Sequence, residues 1–107
     1  MDIELGRVEI VDNEGEQRYE ADVNGELAVV EYQREGDRIV LTHTQVPPAL
    51  EGHGLAARLA RTVLDDARAR RLEVVPRCPY IASYIKRHQE YLDIVAPEFR
   101  ASVRRNG

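Results

Sequence analysis

The residues whose types and spacing suit chemistry fall in two stretches. The first is Val46-Pro47-Pro48-Ala49-Leu50-Glu51-Gly52-His53-Gly54-Leu55-Ala56. Two glycines one residue apart let the backbone approach a ligand closely and turn its NH groups outward, and a helix opening beyond them adds roughly half a unit of positive charge. That is the chemistry of a phosphate cradle, although a plain turn entering a helix has the same pattern. No lysine of the Walker type follows, and no acidic residue is placed as in a dinucleotide fold, which disfavours nucleoside triphosphates and NAD. The second stretch begins at Cys78-Pro79. As the only cysteine, Cys78 has no disulfide partner in the chain and no companion thiols for structural zinc, so it is either a core filler or a reactive thiol. A free thiol is only a few per cent ionised at neutral pH unless a helix start or a cation lowers its pKa, and Cys78 stands just before a predicted helix. His43, within Thr42-His43-Thr44, is a candidate base or a hydrogen-bonded strand residue. No set of residues is assigned to a metal.

The elements that must position these groups follow from periodicity. β-branched and aromatic residues alternate with polar ones over the first 45 residues, predicting strands at Arg7–Val11, Arg18–Val23, Glu26–Gln33 and Arg38–Gln45. Asn24-Gly25 is the strongest hairpin signal, because both residues tolerate positive φ. From Leu50 the period becomes helical, with Leu55, Leu59 and Val63 on one stripe, and the helix is predicted to run to about Arg71. Leu72–Val75 is a short buried strand stopped by Pro76. Strand, helix and strand in succession place the two strands parallel through a right-handed crossover. Tyr80–His88 reads as a shorter helix, Tyr91–Val95 as a last strand or an extended arm, and Ser102–Gly107 as a loose tail. The expected fold class is α+β: a mixed, mainly antiparallel sheet, one long amphipathic helix in a βαβ crossover and a shorter helix towards the C-terminus.

Composition sets the outer limits. The 107 residues suit one domain with its own core, and 43% hydrophobic with 32% charged residues is globular composition. No apolar run approaches the roughly 20 residues of a membrane span, and Met1-Asp2-Ile3-Glu4 is not a leader pattern, so a cytoplasmic protein with no membrane partner is expected. A net charge of −4 disfavours nucleic-acid binding. Arg58, Arg61, Arg68, Arg70 and Arg71 are crowded together, but Asp65 and Asp66 lie among them, and helical ion pairs such as Asp66 to Arg70 are the expected use of that face.

Two matches in order carry a family resemblance. Val46-Pro47-Pro48 followed by Gly52-His53-Gly54-Leu55-Ala56 and the Leu59 stripe resembles the pyrophosphate loop and following helix of the GNAT N-acetyltransferase superfamily. Val75-Pro76-Arg77-Cys78-Pro79-Tyr80, with Tyr84-Ile85-Lys86-Arg87-His88, resembles its small single-domain branch with a Cys-Pro pair. The resemblance covers about Ile39 to Val95. It implies acetyl-coenzyme A between the splayed ends of two strands, with its pyrophosphate on the NH groups of Gly52, His53, Gly54, Leu55 and Ala56, Glu51 beside them among the cofactor-binding residues, and its pantetheine arm paired with Thr44, Gln45 and Val46 as a partial added strand. Tyr84 approximates the place of a tyrosine that protonates the departing sulfur, Cys78 is placed for an acyl-cysteine route, and Arg87 and His88 are candidates for the cofactor's polar end. Departures occur at Ala49, where Arg or Gln is usual, and at Glu51, where a basic residue is common. The helical segment that larger members insert between their first two strands is missing.

The implied function is transfer of an acetyl group from acetyl-coenzyme A to an amine, small or protein-borne, by a monomer or weak homodimer. Its rival is a non-catalytic acyl-coenzyme A-binding module, since the cradle is better marked than any acid or base. A third reading, a polyanion-binding protein using the arginine-rich helix, predicts salt-dependent binding with no thioester preference.

Overall fold

The computed structural model describes Glu4 and residues 7–105. Residues Met1–Ile3 of the leader reading and the last two residues of the expected tail lie outside them. Five strands form one sheet in chain order: β1 (Ile10–Asn13), β2 (Arg18–Val23), β3 (Glu26–Glu35), β4 (Arg38–Gln45) and β5 (Glu73–Pro76). The first four are antiparallel neighbours, and β5 lies parallel to β4. Short turns make this possible. Asn24 and Gly25 take φ of 53° and 85°, so Val23 pairs directly with Glu26 across a two-residue loop. β1 and β2 are joined by a tight turn as well, with no helix between them.

The parallel pair requires a crossover, which α1 (Leu55–Ala69) supplies. Leu55, Leu59, Ala60, Val63, Leu64 and Ala67 recur at helical spacing and are buried against the sheet, together with Tyr19, Val30, Ile39, Leu41 and Val74. α2 (Pro79–Arg87) covers the same face through Ile81, Tyr84 and Ile85. The opposite face carries only a small apolar cluster of Val40, Val75 and Ala96, with Phe99 packed on it. Among the described residues, no helix is long and apolar enough to cross a membrane.

Three expectations are corrected. The helix does not begin at Leu50: Pro48–Leu50 form a separate 3₁₀ turn, Glu51 is extended, and Gly52 and Gly54 have φ of 82° and 79°, which no right-handed helix accommodates. Tyr91–Val95 is not a strand. Gln89–Ile94 coil as a 3₁₀ helix, and only Val95 bridges Val74 before Ala96 N donates to Val74 O at 2.9 Å. The tail is not loose as far as Arg105. A short α3 (Arg100–Val103) buries Val103, and Gln89 grips the segment from both sides, donating to Val103 O at 3.0 Å and accepting from Arg105 N at 2.9 Å.

Two arginines of the arginine-rich segment are committed to acids. Arg70 bonds Asp66 at 3.3 Å, as its spacing predicts, and Arg68 makes a two-pronged contact with Asp93 at 2.6 and 3.0 Å.

Candidate functional site

The site begins where β4 and β5 part. Their register runs from Arg38–Glu73 to Leu41–Pro76 and is extended once, by Cys78 N donating to Leu41 O at 2.8 Å. Beyond it, His43 to Gln45 remain paired with β3 on one side, while the β5 chain turns away at Pro79 into α2. The next link across the gap is a side-chain contact, Thr44 Oγ1 to Cys78 Sγ at 3.2 Å. The free edge of β4 beyond Leu41 is therefore a strand edge open to an extended ligand.

A β-bulge decides which side chains face the gap. Glu31 pairs with His43 but Tyr32 pairs with Leu41, leaving Thr42 as the extra residue. Leu41 shares the core face with Tyr32, and Thr44 shares it with Val30. His43, opposite Glu31, therefore projects from the other face and is exposed. The bulge thus turns Thr44 towards Cys78 and His43 away from it, so these two candidate residues, His43 and Cys78, are not brought together.

Past Val46 the chain makes the cradle. Leu50 is fully buried and anchors the loop, and the 3₁₀ turn uses the NH groups of Leu50 and Glu51. The first helical bond of α1 is Arg58 N to Gly54 O at 3.1 Å. No backbone or side-chain acceptor is recorded for the NH groups of Gly52, His53, Gly54, Leu55, Ala56 and Ala57 among the described residues, and the helix start has no side-chain cap. Positive φ at Gly52 and Gly54 shapes this loop, and a Cβ built on Gly52 meets nothing within 4 Å. The NH groups border a groove of about 170 Å³ formed by Val46, Glu51, Gly52, Gly54, Ala56 and Tyr80, among others. Open space over unpaired NH groups at a 15-residue helix's positive end suits a diphosphate. Glu51, exposed at its rim, is the one charged side chain lining it among the described residues.

The tyrosine at this groove is Tyr80 and not Tyr84. Pro79 at the first helical position sets the phase of α2, so Ile81, Tyr84 and Ile85 face the core and Tyr80 falls on the edge towards the loop. Burial pushes the Tyr80 hydroxyl up, and the neighbouring Arg87 guanidinium opposes that shift. Tyr84 instead stacks on His88 with ring centroids 4.1 Å apart. It borders a separate groove of about 990 Å³ along the outer side of α1, with Arg58, Arg61, Thr62 and Asp65. Burial raises its pKa, and Arg61 counters this. Among the described residues, that larger groove meets the cradle only at Gly54 and Ala57.

Cys78 is 2% exposed and has extended backbone immediately before Pro79. It lies beside the gap, as its sequence position suggests, but largely shielded. Arg87 lies outside the cradle groove, with Nη1 bonding Ser83 Oγ at 3.3 Å. Sequence reasoning missed Tyr80, and the signal that would have found it was the Pro79 phase.

Comparison with known proteins agrees in sequence and fold. The family model described as GCN5-related N-acetyl-transferase matches residues 18–94, from β2 through α2 and into the 3₁₀ helix after it. Protein NATD1 of Mus musculus is 33% identical over 97 residues, covering 86% of this chain and 88% of that protein. Protein NATD1 of Homo sapiens is 40% identical over 73 residues, covering 65% of each. The NMR solution structure of a GCN5-like protein from Staphylococcus aureus shares the fold, with a TM-score of 0.67 and 24% identity, covering 86% of this chain and 91% of that one.

Proposed function

The chain belongs to the GCN5-related N-acetyltransferase family, and from that premise we propose that it binds acetyl-coenzyme A at the β4–β5 gap and transfers the acetyl group to an amine. The observation that carries this reading is the run of unpaired NH groups from Gly52 to Ala57 beside an unpaired strand edge, one suited to a diphosphate and the other to an extended amide-bearing arm. When bound, the cofactor supplies an activated thioester.

The chain's own residues divide the work. NH groups of Gly52, His53, Gly54, Leu55 and Ala56 hold the pyrophosphate, aided by the α1 dipole. The backbone of Thr44, Gln45 and Val46 aligns the pantetheine arm by adding it to β4. Tyr80 closes the groove and offers its hydroxyl to the ligand, the place the sequence reading gave to Tyr84. Thr44 and Cys78 line the deep end of the gap. Because Cys78 is buried, direct attack by the amine would be the favoured route, the C–N bond forming as the C–S bond breaks, the amine's proton passing to solvent and coenzyme A departing as its thiolate, to be protonated from solvent.

One observation favours a second reading, a non-catalytic acyl-coenzyme A-binding module: among the described residues the only carboxylate lining the cradle groove is the exposed Glu51, and His43 projects from the opposite sheet face. Thiol release from acetyl-coenzyme A with a panel of amines separates the two. Amine-dependent release supports the transferase. Saturable binding without release supports the module, and neither binding nor release removes both.

A further inference from the structure

One cluster of cations outside the cradle has no acidic partner among the described residues. Lys86, Arg87 and Arg105 border a surface groove of about 380 Å³ together with Ser83. Several arginines elsewhere in this chain of net charge −4 are matched with carboxylates, Arg18 with Glu20, Arg38 with Glu73 and Glu98, Arg68 with Asp93, and Arg70 with Asp12 and Asp66, while Arg58 and Arg100 bond backbone carbonyls. No ion pair joins a carboxylate to Lys86, Arg87 or Arg105 among the described residues. The guanidinium of Arg87 bonds Ser83 Oγ and lies beside the Tyr80 hydroxyl, and that of Arg105 donates to Arg87 O at 2.9 Å.

Cations at the end of a helix are favoured by its dipole, which accounts for Lys86 and Arg87 in the last turn of α2. It does not account for Arg105, which comes from the chain's other end. The grip of Gln89 on Val103 O and Arg105 N brings this third cation to the first two, with no ion pair to an acid among the described residues to relieve their mutual repulsion. Such an arrangement suits a multiply charged anion with several acceptor oxygens. Tyr80 connects the cluster to the cradle, because it lines the cradle groove and its hydroxyl feels the Arg87 guanidinium.

We propose that Lys86, Arg87 and Arg105 form a phosphomonoester subsite that takes the 3′-phosphate on the ribose of coenzyme A, on the far side of Tyr80 from the diphosphate cradle. The inference rests on the cofactor reading above and adds to it a means of selecting the 3′-phosphorylated cofactor over its dephosphorylated form. The adenosine end then crosses the start of α2, and the chain's C-terminal segment becomes part of the ligand site.

Calorimetric titration with coenzyme A and with 3′-dephospho-coenzyme A tests it. The parent protein binds coenzyme A about tenfold more tightly, the value of one charge-assisted contact. In Lys86→Gln/Arg105→Gln that preference falls towards one while the affinity for the dephosphorylated ligand is kept, and Lys86→Gln alone gives an intermediate ratio. Because each ratio is taken within one protein, a general loss of stability does not imitate the result. Equal binding of both ligands by the parent, or a preference unchanged in the double variant, overturns the subsite and leaves the cradle standing. Binding of neither ligand removes the cofactor reading and the subsite with it.

Discussion

Gly52→Ala separates backbone strain from ligand binding when it is paired with Gly25→Ala. The two glycines have nearly the same φ, 82° and 85°, and a Cβ on either meets no protein atom within 4 Å. Each substitution therefore forces alanine into the left-handed region with no clash, at about 1–2 kcal/mol. For a domain of this size about 1 kcal/mol moves Tm by roughly 4–8 °C, so both ligand-free variants melt lower by similar amounts. Their response to coenzyme A differs, since Gly25 lies in the β2–β3 turn while Gly52 borders the cradle groove. Ligand at 100 times Kd stabilises the parent by about 2.7 kcal/mol. A methyl group over the unpaired NH groups displaces the phosphate from at least one charge-assisted hydrogen bond, an affinity loss of about tenfold or more. At the same ligand concentration, the stabilisation of Gly52→Ala is then about 1.4 kcal/mol or less. Differential scanning fluorimetry with and without coenzyme A reads both quantities. A full ligand-induced shift in Gly52→Ala, or an equal loss in Gly25→Ala, refutes the cradle.

Tyr80→Phe weakens coenzyme A binding by about 3- to 10-fold, the worth of one hydrogen bond, whereas Tyr84→Phe, removed from the cradle, leaves affinity within about twofold; the reverse order in a titration returns the ligand-facing role to Tyr84. Stability falls steeply in alkali. Burial, and then a hydrogen-bonded carboxylate, raise the hydroxyls of Tyr19 (to Asp66), Tyr32 (to Asp12) and Tyr91 (to Asp65) well above the ordinary tyrosine value. A raised folded-state pKa contributes stability that is complete below about pH 10 and lost as pH climbs from there towards the folded value. Each such tyrosine contributes about 1.4 kcal/mol per pH unit in that window. Urea melts at pH 9 and pH 11 check this, and Tyr32→Phe flattens the slope; equal stability at the two pH values contradicts it.

Most of the scaffold was legible because it rests on short-range patterns. Alternation marked β2 and β4 to the residue, Asn24-Gly25 fixed their neighbour's register, and the Leu55, Leu59, Val63 stripe fixed the buried face of α1. The cradle was legible for the same reason, as glycines at a helix entrance constrain the backbone locally. What escaped depends on tertiary geometry. A single extra residue at Thr42 reverses which face His43 occupies, and no local preference marks it. The turn of α2 that presents Tyr80 rather than Tyr84 is set by where Pro79 starts the helix against the sheet. The Gln89–Ile94 coil and the anchored C-terminal segment are held by Val74, Gln89 and Arg105, partners distant in sequence whose side chains carry no periodic signal.

The most direct test of the central claim is a map of amide shifts in the ¹⁵N-labelled protein as coenzyme A is added. The account predicts that the largest changes fall on Gly52 to Ala57 and Thr44 to Val46, with the β1–β2 turn unmoved. Changes confined to the outer groove of α1 around Arg58, Arg61 and Tyr84, or none at saturating ligand, contradict it.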